Sequence, residues 1–143
     1  MSSSDKDLEL VRAYIAALSD FNLEALLATI HPDVVVNAPF SLEPLLPRKV
    51  EGKEAISAAY QSVLKVMAPP HLFDLNIEPL QTPGEFLCTF SSDSKILTTN
   101  LPYKNHYIIR FTIRDGLVAG ITEYFNPTVL ITALGGIVAL PGA

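Results

Sequence analysis

One acid in this sequence stands where acids are costly. Glu123 has Ile121 and Phe125 two positions away on either side, so in an extended strand the three share a face. The preceding run carries Tyr103, Asn105, Tyr107, Ile109, Phe111 and Ile113 at alternate positions. What Glu123 meets depends on how these runs pair through Arg114-Asp115-Gly116. A two-residue turn at Asp115-Gly116 would set Leu117, Ala119, Ile121 and Phe125 beside Lys104, His106, Arg110 and Arg114. A three-residue loop with Gly116 left-handed pairs Ile113 with Leu117 and assembles an apolar face instead, because a one-residue slip flips every side chain. The looped register is the expectation, with Leu117 and Ala119 on the apolar face. It sets Glu123 opposite Tyr107 and diagonal to Asn105 and Ile109. A carboxylate so placed loses hydration, its pKa rises, and an acid poised near neutrality can both give and take a proton. Glu123 is the candidate general acid–base. Tyr103 and Asn105, on the same face, are candidate partners for a substrate oxygen. The competing reading leaves Glu123 solvated at the rim, or paired with Arg110 or Lys104.

Other reactive residues lack a pattern. His31, His71 and His106 show no metal-ligand spacing, and neither H-x-H nor H-E-x-x-H occurs. His31 lies in a turn, and His106 alternates onto the polar face with Lys104 and Arg110. Cys88, between Phe86 and Phe90, reads as a buried, inert thiol. Asp74 and Glu78 read as a solvated strand face. No glycine motif cradles a phosphate, which argues against nucleotide use.

The elements that must hold these residues follow from period. Leu8, Val11, Ile15 and Leu18 mark one helix face, with Tyr14 beside it. Asn22 caps a short helix bearing Leu23, Leu26, Leu27 and Ile30, which His31-Pro32-Asp33 stops. Val34-Val35-Val36 reads as a strand, Phe40 to Val50 as a loop or lid. Ile56, Ala59, Tyr60, Val63, Leu64 and Met67 line a third helix that Pro69-Pro70 ends. From His71 the period becomes 2, with Phe73, Leu75 and Ile77 facing inward. Three helices followed by a four-stranded antiparallel meander predict an α+β domain: a cone-shaped barrel of four to six strands wrapped around helices. Its open end is a small-molecule pocket, with Phe40, Tyr60, Val63, Met67 and Tyr107 shaping an apolar cavity.

The 143 residues fit a single domain, 1–143, with a flexible N-terminus over 1–6 and an apolar tail over 128–143 packed on the core or on a dimer partner. Ten Lys and Arg against fifteen Asp and Glu give a net charge of −5 and no basic stripe, so no nucleic-acid partner is expected. Asn126-Pro127, Gly135-Gly136 and Pro141-Gly142 break the uncharged tail into pieces too short to span a bilayer, so no membrane is expected. The single cysteine and the polar N-terminus predict a cytoplasmic protein, and the excess of apolar residues suggests a homodimer.

Val11-Arg-Ala-Tyr14-Ile-Ala-Ala-Leu18 through Asp33-Val-Val-Val-Asn-Ala-Pro39 resembles the opening of a SnoaL-like or ketosteroid-isomerase-like domain of the nuclear-transport-factor-like superfamily. Gly52-Lys53, Lys95-Ile-Leu97, Tyr103-Lys-Asn105-His106-Tyr107, Asp115-Gly116, Glu123-Tyr-Phe-Asn126-Pro127 and Ala133-Leu-Gly135 resemble the phenazine-biosynthesis PhzA/PhzB proteins more closely. The resemblance implies a homodimeric α+β barrel with a buried pocket and no metal or organic cofactor. It puts an acid–base glutamate on Glu123 and a pocket tyrosine on Tyr103. The helix histidine and serine of PhzA/PhzB fall on Ala59 and Val63, so two polar pocket groups have become apolar. Against ketosteroid isomerases, Tyr14 matches the oxyanion-hole tyrosine. Ala38 replaces the proton-shuttling aspartate, and Ile109 lies where the second oxyanion acid belongs. The leading reading is an acid–base pocket enzyme acting on a small cyclic metabolite in biosynthesis. The alternative is a non-catalytic binding or dimerisation module on the same fold.

Overall fold

A computed structural model describes residues 2–142. The elements run α1 (Ser3–Ser19), α2 (Leu23–Thr29), β1 (Ile30–Asn37), β2 (Lys49–Glu51), α3 (Lys53–Val66), β3 (His71–Pro79), β4 (Glu85–Lys95), β5 (Pro102–Arg114), β6 (Leu117–Tyr124) and α4 (Pro127–Ala133). The strands form one curved, unclosed sheet in the order β2-β1-β6-β5-β4-β3. Strands β3 to β6 are the expected meander. Strand β1 joins it beside β6 as the sheet's single parallel pair, and β2 pairs antiparallel with β1. Two elements were absent from the sequence reading: β2, at the end of the presumed loop 40–50, and α4, in the tail.

Several local expectations give way. Residues 3–6, within the expected N-terminal arm, have helical geometry as the first turn of α1. Ser2 Oγ accepts from the Asp5 amide at 3.2 Å and Asp5 accepts from the Ser2 amide at 3.2 Å, a reciprocal cap that starts α1 at Ser3. Met1 lies outside the described residues. His31-Pro32-Asp33 does not end the second helix; α2 stops at Thr29 and these residues belong to β1. The β1–β6 register shifts between Ile30 and Val35, so the strand accommodates Pro32, which has no amide to donate. On β3 the register also shifts, between Phe73 and Asn76, with Asp74 at φ +55°. Leu72 and Ile77 therefore pack on the core, while Phe73 and Leu75 stay 42% and 45% exposed.

The decisive register is that of β5 and β6. Asp115 and Gly116 both have positive φ, 56° and 72°, and form the two-residue turn that pairs Arg114 with Leu117 and Ile113 with Val118. The three-residue loop expected at Gly116 is not there. The extra residue enters one step later, where Thr112 pairs with Gly120 and Ala119 is left over. Val118, fully buried, faces the core in place of the expected Leu117 and Ala119. Beyond the bulge, Phe111 pairs with Ile121 and Ile109 with Glu123. Only beyond the bulge do Ile121 and Glu123 face inward as the sequence indicates, and there Glu123 stands opposite Ile109, diagonal to Tyr107, instead of opposite Tyr107.

The main core joins Val11 and Ile15 of α1 to Ile30 and Val34 of β1, Phe86, Cys88 and Phe90 of β4, Ile109 and Phe111 of β5, and Val118 and Ile121 of β6. A second cluster closes one end, where Ala133, Val129, Leu130 and Leu134 of the tail pack on Ile96, Tyr103 and Met67. Further along, Ile137 and Leu140 stand exposed. Asn105, 2% exposed, ties the tail in place. Its Oδ1 accepts from the amides of Asn126 (3.1 Å) and His106 (2.9 Å), and its Nδ2 donates to the Asn126 carbonyl and to Tyr103 Oη, both at 3.0 Å. Asn126 then caps α4 through the Thr128 amide.

Asn105→Ala leaves part-buried backbone groups of Asn126 and His106 and the buried Tyr103 hydroxyl without this partner, each costing up to about 1–3 kcal/mol. Urea titration of this variant is expected to give a midpoint lower by at least about 2 kcal/mol in stability, with an unchanged m-value.

Candidate active site

The inward face of the sheet carries three rows: Phe86, Cys88, Phe90 and Ser92 on β4; Tyr103, Asn105, Tyr107, Ile109 and Phe111 on β5; Ile121 and Glu123 on β6. Glu123 is the one carboxyl group among them. Part of its surface stays open, yet enough protein surrounds the carboxylate that burial pushes its pKa from the usual 4.5 to about 7. Among the described residues no side chain hydrogen-bonds it or forms an ion pair with it. Arg110 is turned outward and holds Glu85 at 2.9 Å instead.

Three phenols lie in the field of that carboxylate. Burial pushes Tyr14, Tyr103 and Tyr107 up, and the charge of Glu123 pushes each further. All three are therefore neutral hydrogen-bond donors near pH 7. Tyr103 and Tyr107 hydroxyls sit 2.7 Å apart, and Asn105 Nδ2 donates to Tyr103. The Tyr107 ring stacks on Phe90 with centroids 5.1 Å apart and leans on Phe125 at 6.1 Å. Tyr14 meets Phe111 edge-on at 5.3 Å. The Tyr14 and Tyr107 rings are thus fixed by packing, while the Tyr103 and Tyr107 hydroxyls meet each other.

Of the residues singled out in the sequence, the structure brings Glu123, Tyr14, Tyr103 and Tyr107 together. Asn105 is on the same face, but both its amide hydrogens and its oxygen are committed within the protein, so it positions Tyr103 and the tail and does not offer a bond to a ligand. Ala59, Tyr60 and Val63 lie along α3 and Met67 just past its end, bridged to Ile96; no residue of the helix is buried, although Ile56 and Met67 touch the two core clusters. Tyr60 donates to the Leu18 carbonyl at 3.4 Å and packs on Phe21. Ala38 is half-buried after β1, its amide bound to the Arg48 carbonyl at 2.8 Å. Phe40 does not line the interior: it is 58% exposed and packs on Tyr124, which shares the outer face with Ile108. Ser92, which the sequence reading passed over, is inward, 3% exposed and close to the Tyr107 phenol.

The remaining candidates are occupied elsewhere. His31 accepts from the Asp33 amide at 3.0 Å and meets Asp115 at 3.4 Å; His106 bonds Ser91 at 2.8 Å on the outer face; His71 stacks on Phe73. Burial pushes the Cys88 thiol up to about 12, the opposite of an activated nucleophile. Among the described residues no three His, Cys, Asp or Glu side chains gather as a metal site, and no helix is long and apolar enough to cross a membrane.

Known proteins share this architecture. The uncharacterised protein YesE of Bacillus subtilis (strain 168) is 25% identical over 139 residues, 95% of this chain and 92% of its own. A solved structure described as a candidate isomerase from Bacillus subtilis superposes with a TM-score of 0.87 at 23% identity, covering 98% of this chain and all of that one. A candidate polyketide cyclase from Xanthomonas campestris pv. campestris gives 0.79 at 20%, covering 93% and 99%. A phenazine biosynthesis-related protein from Pseudomonas aeruginosa gives 0.79 at 18%, covering 98% and 92%. At these identities the likeness establishes the fold, the α+β cone of NTF2-like and ketosteroid-isomerase-like proteins. The profile of the SnoaL-like domain matches residues 11–121, well over half of the sequence, and the chain belongs to that family.

Proposed function

We propose that this protein is an acid–base enzyme of biosynthetic metabolism that isomerises, cyclises, dehydrates or condenses a small cyclic ketone-type metabolite. One observation carries the reading: a carboxyl group with a pKa of about 7 stands unpaired on an apolar face, within the field of three neutral phenols. Near pH 7 about half of Glu123 is ionised. The carboxylate takes a proton from the carbon next to the ketone, the electron pair moves to the carbonyl oxygen, and a phenol hydrogen bond from Tyr103, Tyr107 or Tyr14 stabilises that oxygen. Protonated Glu123 then returns the proton to the same or another atom. The half-exposed face of α3 fits an apolar ring system. Neighbours described as an isomerase and a polyketide cyclase support this class of chemistry. The same reading takes the protein as a cytoplasmic homodimer, an assembly favoured by apolar Phe73 and Ile108 on the outer sheet face, 42% and 46% exposed.

The alternative is a ligand-binding module. Its support is that the helix histidine and serine positions of PhzA/PhzB are held here by Ala59 and Val63, which thins the polar pocket.

Two outcomes separate them. Exchange of the α-hydrogens of 1-tetralone in D2O, followed by proton NMR, is expected to exceed the buffer rate and to fall at least about 10²-fold in Glu123→Gln. Equal rates in both proteins mean the binder. Stability provides a second check. A raised folded-state pKa means the folded protein holds the proton more tightly, so this stabilisation is full below about pH 4.5 and is lost as pH rises through about 7. Thermal melts of wild type between those values should decline by up to about 3 kcal/mol relative to Glu123→Gln, which lacks the titration.

A further inference from the structure

Two apolar surfaces meet at the end of the cone that α4 closes, and both are open to water. The first is a flat where α3 ends and β4 turns into β5. The Leu97 amide donates to the Val66 carbonyl at 2.7 Å and the Ile96 amide to the Leu101 carbonyl at 3.0 Å. These bonds gather Val66, Leu97 and Leu101, which are 38%, 49% and 40% exposed. The second surface is the tail beyond α4. Ile137, Val138 and Leu140 are 89%, 46% and 78% exposed, and among the described residues the stretch 137–142 makes no backbone–backbone hydrogen bond. The tail is rooted beside the flat. Thr99 Oγ1, in the β4–β5 connection, donates to the Ala133 carbonyl at 2.6 Å, and a Cβ on Gly135 would lie 3.7 Å from the Thr99 methyl. Its departure is fixed as well. Gly135 turns the chain out of α4 at φ +91°, the Gly136 amide returns to the Ile131 carbonyl at 2.9 Å, and a Cβ on Gly136 would come within 2.7 Å of Ile131. Apolar residues scattered over a surface need no explanation, but six that converge from three segments do.

The form of this end selects its occupant. A protruding apolar tail and an apolar flat belong to the same chain, side by side, and the tail leaves its own body without covering the flat. Two copies related by a two-fold axis can therefore meet with each tail on the other's flat, a self-complementary contact. Six extended residues, 137–142, reach about 20 Å, enough to cross to an adjoining molecule. No charge is carried from Phe125 to the end of the sequence, and Lys65 and Lys95 are exposed, so they stay in water at the rim. We propose that residues 137–140 of one copy dock on Val66, Leu97 and Leu101 of a second copy, reciprocally, as an exchanged apolar strap. Leu97 adjoins Ile96, so the strap seals from outside the cluster that holds Tyr103. The exchange rests on the homodimer of the preceding reading for its second copy and is independent of the acid–base chemistry.

Sedimentation of the full-length protein and of a chain ending at Gly136 tests it. The wild type is expected to be a dimer whose dissociation constant rises at least about 100-fold in the shortened chain and in Leu101→Glu. Both changes fall on exposed positions, so the circular dichroism of wild type should be kept. A short bis-maleimide shows which molecule receives the tail, with the buried Cys88 left unreacted. Full-length Leu101→Cys, mixed with mass-tagged Leu140→Cys, should form a covalent pair of one chain of each kind. A dimer indifferent to tail removal, a monomeric wild type, or links confined to one chain in the double variant Leu101→Cys/Leu140→Cys overturns the exchange. So does tail-dependent sedimentation of a monomer with phosphatidylcholine–phosphatidylserine vesicles, which assigns the same residues to a membrane. Ile108→Glu separates the strap from the sheet-face contact. A dimer sensitive to Ile108 alone leaves the homodimer and removes the strap; one sensitive to the tail alone leaves the strap and removes the sheet-face contact. Glu123-dependent exchange of 1-tetralone by a monomeric wild type keeps the acid–base chemistry and removes the strap.

Discussion

A single residue of slack in β6 determines which side of the sheet Glu123 occupies. The Asp115-Gly116 turn, carried on without interruption, would place Glu123 opposite Ile108 on the outer face, in water and with an ordinary carboxylate pKa. The bulge at Ala119 inverts the alternation between Val118 and Gly120, so that both Val118 before it and Ile121 and Glu123 after it point inward. The raised pKa, the coupling to three phenols and the apolar surroundings all descend from that insertion. Gly120 fits the tight passage: a Cβ there would come within 3.3 Å of Thr112.

Around this carboxylate the fold divides stabilisation from availability. The α1–β4–β5–β6 core is tightly buried, and at the far end the α4 cluster seals against Tyr103. Between them lie groups that make few compensating contacts: an unpaired acid and a helix, α3, whose apolar side is never fully covered. Asn105 works in the opposite sense. By using its whole side-chain amide on neighbours, it fixes the orientation of Tyr103 and the start of α4 together. Polar groups that are saturated hold the frame, and those that are not define where chemistry can happen.

Much of this was legible in the residues. The period-2 run from Tyr103 to Ile113 and the Ile121-Glu123-Phe125 spacing assign the inward face correctly, because that face must be apolar whatever the turn. The place of the extra residue was not legible. Asp115-Gly116 suits both a two-residue turn and a left-handed loop, and Ala119 bears no mark of a bulge. The same limit explains β3, where a bulge at Asp74 exposes Phe73 and Leu75 against the simple alternation. Ser92 was invisible because Ser91-Ser92 is a pair of like residues, and only pairing with Asn105 reveals which one points in. Asn105 itself looked like a ligand contact, since its partner Asn126 is twenty-one residues away in sequence. The reciprocal Ser2–Asp5 cap, by contrast, is written in four consecutive residues and could have been read directly.

The parallel pairing of β1 with β6 has a consequence for how the chain is made. Synthesis delivers β1 early, yet its neighbour on the meander side, Leu117–Tyr124, is the latest of this sheet's six strands in chain order. Until β6 is in place, no strand pairing links β1 and β2 to the meander, and the edge of β5 that β6 covers is unpaired. Insertion of β6 between them joins the two halves of the sheet and, in the same event, carries the carboxylate into the interior. Long-range closure of this kind slows folding relative to a meander built in sequence, and it means that no truncated product ending before β6 contains Glu123 at all.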